Sequence, residues 1–159
     1  MAEASRAMPA RLARRASDRG PMREFLVFAL GSELYGVELT RIKEILSPPP
    51  LTPVPRAAPE VVGVCSVRGL LVAVLDLRRK LRLVERPVTR RARILLTTAD
   101  SGEVIGLLVD EVRQVVRLSE NEIEIAAALG SDVSEHVLGV GRPDGAFLIL
   151  LELSAIVTS

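Results

Sequence analysis

Gly36-Val37-Glu38-Leu39-Thr40-Arg41-Ile42-Lys43-Glu44-Ile45 is answered later in the chain, without a gap, by Gly106-Leu107-Leu108-Val109-Asp110-Glu111-Val112-Arg113-Gln114-Val115. Each block follows an apolar strand and a turn: Phe25-Leu26-Val27-Phe28 before the first, Ile94-Leu95-Leu96 before the second. A second echo matches Val62-Gly63-Val64, Arg68-Gly69 and Leu71–Leu77 with Leu138-Gly139-Val140, Asp144-Gly145 and Phe147–Leu153. The unit order is A-B-A′-B′. Two similar β modules in one chain are the simplest reading, with a groove between them as the first place to look for function.

The composition sets what such modules can be made of. The chain has 159 residues, is 48% hydrophobic and only 3% aromatic, and has no Trp, so its core must be built from Val, Leu and Ile. Branched aliphatics pack well on a pleated surface. No run approaches the ~18–20 apolar residues of a membrane span. Net charge is +1, unevenly placed: residues 1–23 carry +4 and the remainder −3. The basic head, 1–22, reads as a disordered tail, a phosphate-binding arm or transit sequence being the other reading. Cys65 is the only cysteine and sits among apolar residues, as a small core side chain would, which fits a reducing cytoplasm.

Strands are predicted at Glu24–Leu30, Leu34–Leu39, Val64–Val67, Leu71–Leu77, Arg93–Ala99, Val104–Val109, Val112–Leu118, Val137–Val140 and Phe147–Leu151. Arg41–Leu46 is too short for its period to decide between a helical turn and a strand. Pro48-Pro49-Pro50 and the prolines after it make an extended connector. Ala58–Val62 reads as a helical turn. Asp76 is placed to cap a helix that holds Arg78, Arg79 and Lys80 and ends near Leu83. Short helices are also expected at Ile125–Leu129 and Ser154–Val157. Closely spaced short strands with Gly/Pro punctuation point to small barrels.

Catalytic chemistry is missing. No phosphate-binding glycine loop or Cys/His cluster is present, and His136 is the only histidine, so neither a cofactor, a metal nor an enzymatic site is expected. What remains is surface. Glu44 and Arg68 fall where the units of the first module meet the second, either as an ion pair fixing a turn to a strand or as the polar edge of a docking groove. Ile42, Ile45, Val112 and Val115 hold equivalent places in the two repeats. A barrel of ~60–70 residues has room for few inward side chains, so some must face the other module or a partner. The alternative of a different class is a small-barrel nucleic-acid binder using the arginine-rich head. The scarcity of aromatic platforms and the acidic remainder stand against it.

From Glu24 to Val157 the chain resembles the CheW family. The resemblance rests on Phe25-Leu26-Val27-Phe28-x-Leu30-Gly31-x-x-x-Tyr35-Gly36-Val37, Ile42-x-Glu44-Ile45, Gly63-Val64-x-x-Val67-Arg68-Gly69, Val74-x-Asp76-Leu77-Arg78, Gly106-Leu107-Leu108-Val109-Asp110-x-Val112 and Gly139-Val140, in that order. It implies a mostly β fold of two intertwined, pseudo-duplicated, SH3-like five-stranded barrels with short helices. Residues 23–158 would form the CheW-like domain, with about 23–86 in barrel one, 87–158 in barrel two, and terminal elements open to exchange. It further implies a cytoplasmic, non-enzymatic adaptor recruited to receptor arrays. Its partners would be the cytoplasmic tip of a chemoreceptor coiled coil, the regulatory domain of a CheA-type histidine kinase, and other CheW-like domains in array rings. Carried over by position, receptor contact falls on Ile42, Glu44, Arg68, Leu71, Ile94, Leu95, Gly106, Val112 and Val115, and kinase contact on Leu39, Leu51 and Gly63. The chain departs from the family pattern at Ser66, where asparagine is usual, at Ala73, where proline is usual, and in its triple proline.

Overall fold

Alternation in the first strand explains the architecture. In the computed structural model, which describes residues 21–129 and 135–157, β1 (Met22–Leu30) sends Phe25 and Val27 into one apolar cluster and Leu26, Phe28 and Leu30 into another. None of the five is more than 3% exposed. A strand buried on both faces reads as a continuous apolar run, as this one does. Each fully buried Leu or Phe contributes about 2–3 kcal/mol relative to exposure. The expected tail falls on residues 1–22, of which 1–20 lie outside the described residues.

Two sheets form the molecule. One runs β8 (Glu111–Ser119), β1, β2 (Glu33–Glu38), β11 (Leu148–Leu151), β10 (Val137–Gly141), β9 (Ile123–Ile125). The other runs β3 (Ile42–Leu46), β6 (Arg93–Thr98), β7 (Val104–Val109), β5 (Leu70–Asp76), β4 (Val61–Val67). These are the two SH3-like barrels, with six strands in one instead of the expected five.

The barrels are not contiguous halves of the chain. The first hairpin, β1–β2, joins the last, β10–β11, through a parallel pair at Tyr35↔Ile149 and Gly36↔Leu150. The β6–β7 hairpin joins β4–β5 through the matching parallel pair at Ile105↔Ala73 and Gly106↔Val74. The third strand of each A unit also crosses over: β3 pairs with β6, and β8 with β1. Unit A therefore builds its barrel with B′, and A′ with B. The division at 23–86 and 87–158 is replaced by an exchange of whole hairpins, larger than an exchange of terminal elements.

The largest cluster of buried side chains lies between the sheets, not inside either barrel. Leu26, Phe28, Leu30, Tyr35 and Val37 from one sheet meet Leu75, Leu95, Ile105, Leu107 and Val109 from the other, with Leu153, Ile156 and Val157 of the last helix. The barrel interiors are smaller: Cys65, Val72, Val74, Ile94, Leu96 and Leu108 fill one, and Phe25, Val27, Leu118, Ile123, Leu148 and Leu150 the other. Burial pushes the Cys65 thiol pKa up.

Short helices cap the ends. The Asp76 side chain accepts from the Arg78 N–H at 2.9 Å and starts α1 (Leu77–Lys80); the cap is the one expected, and the helix stops at Lys80, short of Leu83. α2 is Ala126–Leu129, and α3 is Leu153–Val157. Arg41–Leu46 resolves into the end of a 3-10 turn, Leu39–Arg41, followed by β3. Ala58–Val62 is a single turn that ends sooner than expected: the Val61 N–H donates to the Ala58 carbonyl at 2.9 Å, but β4 already begins at Val61, which pairs with Leu75.

Candidate functional site

The β4–β5 connection has two residues, Arg68 and Gly69, with φ of 50° and 84°. Two positive φ values in a two-residue loop are the geometry whose twist matches a hairpin. Glycine takes it freely. Arginine, with a Cβ, does so against its preference. Across the rim, Glu44 on β3 accepts two hydrogen bonds from the Arg68 guanidinium, Nη1 to Oε1 at 2.6 Å and Nη2 to Oε2 at 2.5 Å. β3 and β4 are the two edge strands of this sheet, so the bidentate pair joins the barrel's open edges. The arginine's hydrogen bonds hold the Glu44 carboxyl below the usual carboxylate range. The Arg68 side chain is nevertheless 70% exposed, so the pair presents charge to solvent while organising the turn. The equivalent turn in the other barrel, Asp144-Gly145, has nearly the same φ values, 55° and 82°. Its side chains differ: the repeat puts Asp144 and Gln114 where Arg68 and Glu44 stand, and these cannot form an ion pair.

Aliphatic side chains flank the pair. Leu70 and Leu71 open β5 at 60% and 75% exposure, while Val72 is buried in the barrel. Leu71 shares its strand face with Leu75, which lies in the seam between the barrels. Ile45 is paired with Leu95, and Val115 with Leu26. Directly opposed residues share a face, so both point to the seam side, where they stay exposed at its edge. Ile42 and Val112 lie deeper, half-buried against the seam core.

Six of the nine residues assigned to receptor contact, Ile42, Glu44, Arg68, Leu71, Val112 and Val115, are at least partly accessible. Ile42, Leu71, Val112 and Val115 lie on the seam side, whereas Glu44, opposed to Leu96 of the barrel interior, lies with its partner Arg68 on the barrel side of β3. The other three assigned residues are not accessible. Ile94 and Leu95 are 0% exposed, one in the barrel interior and one in the seam, and Gly106 is buried in β7. The role of Gly106 is close packing: a Cβ there would lie 2.7 Å from Ile94 Cγ2 and 3.3 Å from Val74 Cγ2. The expected open groove is sealed by core side chains at these positions, and only its rim is available. Leu70 was missed because consecutive leucines give no outward signal.

The kinase-side assignments separate. Gly63 is buried and lets the proline connector press on β4, since a Cβ there would come within 2.7 Å of the Thr52 carbonyl oxygen. The Thr52 and Val64 backbones bond each other at 2.9 Å in both directions. Leu51 is half-buried beside it, against the same barrel interior. Leu39 packs on the seam cluster instead. Gly63 offers a partner no side chain, and the three do not form one surface patch. Among the described residues no three His, Cys, Asp or Glu side chains gather as metal ligands would, and no helix is long and apolar enough to cross a membrane.

Residues 24–159 match the CheW-like domain family. The chemotaxis protein CheW of Rhizobium meliloti is 30% identical over 138 residues, covering 86% of this chain and 88% of that protein. The protein FrzA of Myxococcus xanthus is 34% identical over 131 residues, covering 82% and 81%. The crystal structure of the scaffolding protein TtCheW from Thermoanaerobacter tengcongensis superposes with a TM-score of 0.79 at 25% identity, covering 87% of this chain and 94% of that one. Duplicated barrels and matches along almost the whole described length agree: the chain belongs to the CheW-like domain family, the chemotaxis scaffold proteins, which are not enzymes.

Proposed function

We propose that this scaffold couples the cytoplasmic tip of a chemoreceptor coiled coil to the regulatory domain of a CheA-type histidine kinase, in the cytoplasm, and that the rim around Glu44 and Arg68 is its receptor-facing surface. The observation that carries the reading is an exposed, pre-oriented ion pair whose near neighbours in sequence, Leu70, Leu71 and Ile45, are exposed aliphatics; Val115 adds an exposed aliphatic on β8 of the other sheet. An amphipathic helix needs that combination: apolar anchors for its buried stripe and a polar edge to set its register. The scaffold contributes two barrels in fixed relative orientation, so receptor state reaches the kinase through differential contacts. The nucleic-acid alternative draws little from the described surface. Base stacking needs exposed aromatics, and Phe25, Phe28 and Tyr35 are at most 5% exposed, leaving Phe147 alone at 57%.

The test is a pair of separate pull-downs, against a receptor-tip fragment and against a kinase regulatory domain, with wild type and Arg68→Glu. The substitution reverses the charge of the turn and sets a second carboxylate against Glu44 on a solvent-exposed rim, so receptor capture falls while the circular-dichroism spectrum and kinase capture are retained. Receptor capture equal to wild type refutes the assignment of the rim.

A further inference from the structure

Charge is distributed along this chain in blocks. The first twenty residues hold Arg6, Arg11, Arg14, Arg15 and Arg19 against Glu3 and Asp18. Residues 78–93, which link the two halves, hold eight Lys and Arg against Glu85. Residues 119–135 hold no Lys or Arg and include Glu120, Glu122, Glu124 and Glu135. The acidic block begins where the basic head enters the fold, because Met22 pairs with Ser119 across β1 and β8. Arg23, the first described arginine of the head, already faces this corner: its Nη1 lies 3.9 Å from Glu120 Oε2, and it also pairs with Glu38 at 3.0 Å. Beside the acidic side chains the corner exposes Ile125 at 57%. Glu120 and Glu124 are both exposed.

We propose that residues 1–20 of this chain dock on that acidic corner, the β8–β9 turn and β9, and cover Ile125. Reach is not limiting, since twenty residues can span up to about 65 Å, whereas the edge to be covered begins at the residue paired with the head. Tethering raises the arm's local concentration to the millimolar range, which lets individually weak exposed ion pairs act together. The basic 78–93 segment repels the same arm, so the field of the molecule directs it to one end only.

A nitroxide on full-length Ala10→Cys tests this; the native Cys65 is 6% exposed and is not competitive for the label. In low salt, the amides of Glu120, Asn121, Glu124 and Ile125 should broaden at least about twofold more than those of Arg82, Val84 and Arg90. Raising ionic strength to ~0.5 M, where the Debye length falls to about 4 Å, should remove the difference. Glu120→Lys with Glu124→Lys should also remove it, while the remaining amide shifts report an unchanged fold. Equal broadening at both ends, or broadening that ignores salt and both substitutions, overturns the proposal. So does an arm that phosphatidylglycerol vesicles or duplex DNA engage with no change in the spectrum of the corner, because its partner would then be an external polyanion.

Discussion

Asp110→Asn should loosen the joint between the barrels. Arg78 is 6% exposed and donates from Nε to Asp110 Oδ1 at 2.8 Å, from Nη2 to Asp110 Oδ2, and from Nη1 to the Val84 carbonyl at 2.6 Å. The Gly31 N–H donates to the same carboxylate at 2.7 Å. One ion pair thus ties the β1–β2 turn of the six-stranded barrel to the helix after β5 of the five-stranded barrel, at the point where the chain passes from β7 to β8. The amide keeps the shape but removes the charge, leaving a guanidinium with 8% of its side chain exposed, without its bonded counter-ion and with only the field of Asp76 to offset it. Removing one partner of a fully buried pair costs about 3–5 kcal/mol. Here the Asp110 side chain is 32% exposed, and solvent screening lowers the expectation to about 2–3 kcal/mol. At ~3 °C per kcal/mol for a chain of this size, Tm should fall by about 6–9 °C. Burial pushes the Asp110 carboxyl pKa up, but the hydrogen bonds from Arg78 and Gly31 together outweigh it and leave it below the usual value. Its contribution is therefore complete above the unfolded-state pKa of ~3.9 and lost as pH falls through the lower folded value. Urea titrations at neutral pH and at successively lower pH check both parts: the wild type should lose an increment of stability on acidification that the variant lacks. A neutral-pH difference below about 0.5 kcal/mol would refute the joint.

Gly106→Ala should cost about 1–3 kcal/mol, measured by urea unfolding, because the added methyl group meets Ile94 and Val74 in a filled interior; a change near zero would mean the interior has slack. Gly63→Ala should detach the proline connector from β4, seen as faster proteolytic nicking within 48–57, since the obstacle is Thr52 backbone and not a movable side chain. Leu71→Ser should leave stability within ~0.5 kcal/mol of wild type, as expected for a side chain 75% exposed, while lowering capture by a receptor-tip fragment.

The duplicated units, the hairpins and the capped helix after Asp76 were legible because each depends on neighbours in sequence. The exchange of hairpins was not. B and B′ carry the same pattern, so A could pair with either, and local periodicity does not distinguish the two closures. The misplacement of Ile94, Leu95 and Gly106 has a related cause. Strands β6 and β7 are buried on both faces, one in a barrel and one in the seam, so alternation gives no sign of which side chains are free. Arg68 and Glu44 were found because charged residues stand out in an aliphatic sequence, and their pairing followed from the closure of one barrel.

The duplication also bears on the rim proposed to face the receptor. Where the repeats must pack, they agree: Gly36 and Gly106 occupy equivalent parallel pairings, with Leu150 or Ile94 and Val74 against the space a side chain would need. Where they meet solvent, they diverge. The two β-hairpin turns keep the same positive φ values, yet one carries Arg68 bonded to Glu44 and the other Asp144. Aspartate tolerates that backbone region through its short polar side chain, whereas arginine has no such local compensation. Folding alone would therefore favour Asp or Asn at both turns. Arg56 and Arg82 also take positive φ, so the backbone region alone does not mark Arg68; what sets it apart is the bidentate pair with Glu44 on a side chain that is still 70% exposed, the combination on which the proposed receptor-facing rim rests.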